Sequence, residues 1–224
     1  MPDLTPEFLV YGFISYVVFL FSTTCHEAAH AFVAKLGGDS TAALGGQVTL
    51  NPVPHIRREL WGMVIVPILA FLFMQGRMIG WASAPFDPLW ERQHPRRAAL
   101  MALAGPAANF TLMLVAAAAL HLGTWMGWLQ WNRGERPGFA IVTLLVLFSL
   151  NLLLGTFNLL PVPPLDGSTG IMLLMNENTA QRYLAWLRGS SYASLGLLVG
   201  LLAFRYFYEP VQNFATNVLL RSHF

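Results

Sequence analysis

Uncharged, apolar runs make up most of this chain, and short polar segments separate them. The runs at 98–132 and 137–165 contain no Asp, Glu, Lys or Arg. Each is longer than the roughly 20 apolar residues that cross the hydrocarbon core of a bilayer as a helix. We therefore predict membrane helices at about 98–122 and at about 139–160, the second ending at Pro161.

The first apolar run predicts a long helix from about Phe8 to Leu36, followed by Gly37-Gly38. Residues 1–7 contain no Lys or Arg, so they lack the basic start of a secretory signal, and we expect this helix to be retained. Two shorter apolar segments, 60–76 and 190–208, give weaker predictions of further spans.

A more polar segment, Gly45-Gly46-Gln47-Val48-Thr49-Leu50-Asn51-Pro52, separates the first two apolar regions. Its polar and apolar residues alternate between Gly and Pro, which predicts a short strand or hairpin. The expected fold class is an all-α polytopic membrane protein. It is a transmembrane helix bundle with a short membrane-associated β hairpin or strand and a re-entrant segment.

The distribution of basic residues predicts how these segments lie in the membrane. Cytoplasmic loops are enriched in Lys and Arg, and basic clusters flank segment 60–76 on both sides. Because Pro67 interrupts a segment of marginal length, we predict that it is re-entrant and that both clusters are cytoplasmic. The N-terminus and the loop carrying Arg133 would then be external. The two clusters are Lys35, Arg57 and Arg58, and Arg77, Arg92, Arg96 and Arg97.

Composition agrees with a membrane protein that contacts the lipid bilayer. Hydrophobic residues make up 55% of the chain and charged residues 11%, against about 25% charged in soluble domains. The formal net charge of +2 gives no reason to expect a nucleic-acid partner. The single cysteine, Cys25, excludes an internal disulfide and a multi-cysteine zinc site. We expect residues 1–224 to form one membrane domain, with a core at about 8–170 and C-terminal helices at about 171–224.

The segment His26-Glu27-Ala28-Ala29-His30 carries the most specific chemical signal. Residues four apart share one face of a helix, so both imidazoles can bind one Zn²⁺. The carboxylate of Glu27 can then take a proton from a water that the metal activates. The alternative is a pair of histidines at a helix interface, but an ionisable trio in an apolar helix is costly and usually functional.

A catalytic zinc site needs a third protein ligand, and Asp166 is the best candidate. It follows Pro161, Pro163 and Pro164, which break the preceding helix, and it precedes Gly167. Broken backbone at membrane depth is tolerated where it is buried in protein or lines a wet cavity. The alternative is that Asp166 caps the helix that follows it.

Two asparagines in apolar surroundings, Asn109 and Asn158, are tentative donors to a substrate carbonyl or an oxyanion. Hydrogen bonding between helices is the alternative for both. The predicted strand at Val48, Thr49 and Leu50 is a tentative substrate site, because it could hold an unwound peptide by edge pairing.

Several ordered motifs resemble the site-2 protease family of intramembrane zinc metalloproteases. They are His26–His30, Gly105-Pro106-Ala107-Ala108-Asn109, and Asn158 with the stretch Pro163-Pro164-Leu165-Asp166-Gly167. The segments Gly46–Pro52 and Gly80-Trp81-Ala82 are similar to compact prokaryotic members. The resemblance covers roughly residues 20–170.

This resemblance implies one Zn²⁺ per chain, held by His26, His30 and Asp166, with Glu27 as the catalytic base. It also implies transmembrane protein substrates that are cut within or near their membrane segments. The expected location is the cell (inner) membrane of a prokaryote, with the active site toward the cytoplasmic side. Two alternatives remain: a non-enzymatic membrane metal carrier, and an inactive protease-like scaffold that binds transmembrane helices.

Overall fold

The computed structural model describes residues 4–131, 136–189 and 193–220, and over these ranges the chain is helical without a β-strand. Arg133 lies outside the described residues. A π-helical turn, Trp61–Ile65, directly precedes α4, and a 3₁₀ turn, Ile171–Leu174, follows α8. The α-helices are α1 Pro6–Leu36, α2 Thr41–Leu44, α3 Pro52–Arg58, α4 Val66–Phe73, α5 Pro88–Gln93, α6 Pro95–Trp125, α7 Phe139–Asn158, α8 Asp166–Gly170, α9 Glu177–Gly189 and α10 Ala193–Leu219.

Three helices of the described chain, α1, α6 and α7, are long and apolar enough to cross a membrane. Their mean hydropathies over 18 residues are 1.8, 1.7 and 2.3. They confirm the helices predicted from the apolar runs, since only a helix satisfies the backbone polar groups of one long apolar segment in lipid. Thr5 caps the start of α1, where its Oγ1 accepts a hydrogen bond from the Phe8 N–H at 3.2 Å.

Small side chains bring α1 and α6 close together. Ala31 and Ala34 of α1 are buried, as are Ala98, Ala99 and Ala102 of α6. Small residues allow helix backbones to approach closely in membrane proteins, where van der Waals packing drives association. The same contact turns the histidine face of α1 toward α6, and α7 packs against both helices.

Helix α9 packs against α5 and the start of α6. Leu184 and Leu187 of α9 are buried in one apolar cluster with Trp90 of α5 and the start of α6. Glu91 of α5 is also buried, and its Oε2 accepts a hydrogen bond from Arg188 Nε at 3.0 Å. The predicted last span, 190–208, falls in α10, whose first described residue is Ala193; that it crosses the membrane stays a prediction.

The predicted strand or hairpin is wrong: Val48, Thr49 and Leu50 form consecutive bends. Local hydrogen bonds explain the difference. Thr49 Oγ1 accepts from the Asn51 N–H at 3.1 Å, and the Thr49 carbonyl lies 3.1 Å from His55 Nε2. Asn51 in turn caps α3. Side chains of this type compete with ladder hydrogen bonds for the backbone groups.

The segment predicted to be re-entrant is a short helix followed by a returning chain. Trp61–Ile65 and α4 form a continuous helical piece, and the chain turns at Gln75 and Gly76, both with positive φ. It then runs back until the Trp81 N–H donates to the Gly62 carbonyl at 3.1 Å. The described residues alone do not establish a path in a bilayer, so re-entry stays a prediction.

Candidate metal centre

Two histidines and a glutamate of α1 form a buried cluster. His26 and His30 are 7% exposed and Glu27 is 5% exposed. One potential ligand atom from each lies within 4.8 Å of the other two. The i, i+4 spacing places the imidazole rings one above the other, with centroids 4.6 Å apart and planes at 82°. The pattern read from the sequence therefore gives a converging set of side chains.

Asp166, at the start of α8, completes this cluster. Its Oδ2 lies 3.1 Å from His26 Nε2 and 3.4 Å from His30 Nε2, and the two Nε2 atoms are 3.0 Å apart. Zinc bonds of about 2.0–2.2 Å at tetrahedral angles place ligand atoms about 3.3–3.6 Å apart. A shift of a few tenths of an ångström would fit these atoms to three corners of such a site.

The outer nitrogens of both imidazoles determine which atoms face the centre. His30 Nδ1 lies 2.7 Å from the Met101 carbonyl, and His26 Nδ1 lies 2.6 Å from Asn109 Oδ1. Both oxygens are acceptors, so each Nδ1 carries a proton, and in the neutral imidazole each Nε2 then presents a lone pair. Metal-binding histidines are commonly oriented by such an outer hydrogen bond.

These tautomers leave three acceptor atoms facing one another without a proton between them. Asp166 Oδ2 is buried and has no hydrogen-bond donor. Two imidazole lone pairs and a carboxylate oxygen in this arrangement repel one another unless a cation lies between them. The donor set of two nitrogens and one carboxylate is that of known catalytic zinc sites. The residues present therefore fit a zinc ion.

The break between α7 and α8 brings Asp166 to the histidines. Leu165, not Asp166, occupies the capping position of α8, so the helix-cap interpretation of Asp166 does not describe this structure. Ser168 stabilises the turn through its N–H and its hydroxyl, which both donate to the Leu165 carbonyl. Gly167 packs directly on the backbone of Leu159, where a Cβ would overlap the carbonyl.

An apolar groove of about 430 Å³ is lined on α1 by residues that neighbour the histidines in sequence, although none of the four cluster residues lines it. It lies between one face of α1, the part of α6 at residues 108–112, and the bends at Val48, Thr49 and Leu50. The three residues that the sequence predicted to contact substrate thus form one wall of a groove, although they are not a strand. The other lining residues are Cys25, Ala28, Ala29, Phe32, Ala108, Thr111 and Leu112.

The two asparagines predicted as donors occupy different surroundings. Asn109 is fully buried; its Oδ1 contacts His26 and its Nδ2 donates to Asn151 Oδ1 at 2.8 Å. Both ends of this amide are engaged within the helix bundle. Asn158 is half-buried at the end of α7, and its Nδ2 donates to the Leu154 carbonyl of its own helix at 3.0 Å. An oxyanion role for either residue stays a prediction.

Sequence reasoning missed three contributors to this site: Gly105, Asn151 and the Met101 carbonyl. Gly105 lies in the segment Gly105–Asn109, and a Cβ placed on it would overlap the Nε2 atoms of both histidines, an approach that depends on the rotation of α6. Asn151 offered a signal, because it is a polar residue inside an uncharged apolar run. A backbone carbonyl gives no sequence signal.

Comparisons with known proteins agree with this geometry. The family model described as Peptidase family M50 matches residues 14–132. The chain is 33% identical over 155 residues to "Putative zinc metalloprotease YwhC" of Bacillus subtilis, covering 67% of this chain and 64% of that protein. It is 34% identical over 175 residues to "Putative zinc metalloprotease Rip2" of Mycolicibacterium smegmatis, covering 74% of this chain and 58% of that protein.

The chain therefore spans less than two thirds of the length of these curated relatives. No solved structure matches it with significance. The matched region begins within α1 and includes all of α6, so it contains His26, Glu27, His30 and Asn109, whereas Asp166 lies beyond its end.

Proposed function

The chain belongs to peptidase family M50, and on that premise we propose that it is a membrane-embedded zinc endopeptidase. Its substrates would be membrane proteins, cut within or near their transmembrane segments. The observation that carries this proposal is the convergence of His26 Nε2, His30 Nε2 and Asp166 Oδ2 within 3.4 Å of one another, with the Glu27 carboxylate beside them.

Three side chains would hold the metal and one would move the proton. His26, His30 and Asp166 leave one corner of a tetrahedral site open for reactants. When bound, zinc supplies a Lewis acid that polarises the scissile carbonyl and lowers the pKa of water. Glu27 accepts a proton from the water that attacks the carbonyl carbon. It passes that proton to the amine nitrogen as the carbon–nitrogen bond breaks, so the products are a carboxylate and an amine.

The groove along α1 suits an apolar, extended substrate. Its walls are mostly small or aliphatic side chains, and Ala28 and Ala29 lie between the two histidines in sequence. A transmembrane helix hides its amide bonds in its own hydrogen bonds, so it must unwind locally to be cut. The bends at Val48–Leu50 place three residues in contact with any segment that enters.

Helix lengths and basic residues support a site that faces the cytoplasm. The 5 residues of the π-helical turn and the 8 of α4 together reach about 20 Å, which is less than the hydrocarbon thickness of about 30 Å. A re-entrant path for this segment keeps Arg57, Arg58, Arg92 and Arg97 on one side of the membrane. The positive-inside bias supports a cytoplasmic position for that side. The bacterial relatives support the cell membrane of a prokaryote as the location.

The proposal is tested by purifying the protein in detergent and measuring its zinc content and its cleavage of single-span membrane substrates. We expect about one zinc per chain, cleavage that a chelator abolishes, and loss of both in His26→Ala, His30→Ala and Asp166→Ala. Zinc binding without cleavage of any substrate would favour a metal carrier. Absence of zinc with intact folding would favour an inactive scaffold that binds transmembrane helices.

A further inference from the structure

A line of buried side-chain amides runs from the metal centre on α1 through α6 to α7. From His26, the line passes to Asn109 of α6 and to Asn151 of α7, at 2.6 Å and 2.8 Å. Asn151 Nδ2 then donates to Ser22 Oγ of α1 and to the Leu147 carbonyl, both at 2.8 Å. Asn109, Asn151 and Ser22 are all 0% exposed.

The direction of every hydrogen bond in this line is set at its far end. The Leu147 carbonyl can only accept, so the NH₂ group of Asn151 must face it, and the Asn151 oxygen must face α6. That oxygen can only accept, so the NH₂ group of Asn109 must face it in turn. The Asn109 oxygen is therefore left facing His26, where it requires a proton on Nδ1.

The consequence at the metal centre concerns the tautomer of His26. With the proton on Nδ1, the lone pair of Nε2 faces His30 and Asp166, as metal binding requires. If the Asn109 amide were reversed, its NH₂ group would face Nδ1 and the proton would move to Nε2. The tautomer of His30 does not depend on this line of amides, because its Nδ1 contacts the Met101 carbonyl directly.

We propose that Asn151 is a positioning residue for the metal centre: through Asn109 it holds His26 in the tautomer that presents Nε2 to a metal. Asn151 itself acts at one remove from the imidazole: its amide hydrogen bonds join it to Asn109, Ser22 and the Leu147 carbonyl. The inference rests on the proposed function only insofar as that function makes this a zinc site. The line also couples the packing of α1, α6 and α7 to the state of one ligand.

Removing the side-chain amide of Asn151 should change both the tautomer of His26 and the affinity for zinc. Asn151→Leu keeps a similar side-chain volume but removes both the amide oxygen and the NH₂ group. The side-chain amide of Asn109 can then adopt either orientation. In ¹⁵N-histidine spectra of zinc-free protein with neutral imidazoles, wild type should show a protonated Nδ1 at His26, whereas the variant should show a mixture. Its zinc dissociation constant, from chelator competition, should rise about 10–100-fold, the range for loss of an outer partner of a metal-binding histidine.

Ser22→Ala is the matched control. It removes a buried hydrogen bond from the same line, but the Leu147 carbonyl still fixes the direction of Asn151. We therefore expect the wild-type tautomer and near wild-type zinc affinity. If Asn151→Leu does not fold, Asn151→Ala serves as a second variant. Its smaller side chain cannot crowd the helix interface, and we expect the same changes in tautomer and zinc affinity.

The result that would overturn the proposal is a folded Asn151 variant with the wild-type His26 tautomer and unchanged zinc affinity. Equal losses in Ser22→Ala and the Asn151 variants would also overturn it, because they would indicate a general packing effect. Neither readout depends on proteolysis. A protein that cuts nothing but shows the tautomer change would refute the proposed function and leave this inference standing.

Discussion

A Cβ atom placed on Gly105 would lie 2.5 Å from the Nε2 atom of His26. The same atom would crowd the Nε2 of His30, so the face of α6 that meets the histidines can carry no side chain at this position. The missing side chain leaves the space into which both imidazole lone pairs point. Gly105 is thus required by the metal centre rather than by the helix, which glycine destabilises by about 1 kcal/mol relative to alanine.

Gly105→Ala should therefore disable the metal centre while favouring the helix. We expect its zinc content to fall sharply because the methyl group displaces one or both imidazoles. Zinc analysis of purified protein, with circular dichroism as the check on folding, measures this effect. Gly138→Ala is the matched control, because nothing lies within 4 Å of a Cβ at that position. Full zinc content in Gly105→Ala would show that the histidines do not bind metal in the arrangement described.

Filling the groove should impair the cutting of membrane substrates and spare the metal. Ala108 lines the groove, whereas its neighbour Ala107 is exposed and lies outside it. We expect Ala108→Phe to reduce kcat/KM on a single-span substrate by at least about tenfold, a barrier change of about 1.4 kcal/mol, with normal zinc content. Ala107→Phe should behave as wild type. Equal activity of the two variants would mean that substrate does not enter by this groove.

The length of the helical piece at 61–73 predicts on which side of the membrane its flanking residues lie. Because it is too short to cross the hydrocarbon core, residues before and after it should lie on one side of the membrane. Arg57→Cys and Arg92→Cys, each in a Cys25→Ser background, can be labelled from either side with an impermeant thiol reagent. We expect both positions to react only from the cytoplasmic side. Reaction from opposite sides would show that this segment crosses the membrane.

Sequence alone was sufficient for the long helices and for the cluster on α1. An apolar run in lipid has few ways to satisfy its backbone other than a helix, so α6 was expected at about 98–122 and is observed at Pro95–Trp125. Within one helix, spacing fixes geometry, so His26 and His30 could be paired without a structure.

Two features could not be predicted from the sequence, one set by local hydrogen bonds and one by a contact between helices. The alternation at Val48–Leu50 resembles that of a strand, but the segment forms bends in which Thr49 Oγ1 and Asn51 Oδ1 accept hydrogen bonds from the backbone N–H groups two residues on. Asn109 and Asn151 are polar residues in apolar helices, and their sequence positions do not show that they contact each other. That contact depends on the relative rotation of α6 and α7, which packing determines.

The most direct test of the central claim is Glu27→Gln, assayed for zinc content and for peptide-bond cleavage in the same preparation. The substitution keeps the size and polarity of the side chain but removes its ability to accept a proton. We expect zinc content equal to wild type and a fall in turnover of about 10²–10⁴-fold, the usual contribution of a general base. A fully zinc-loaded Glu27→Gln protein that cuts its substrate at near wild-type rate would contradict the proposed hydrolytic mechanism.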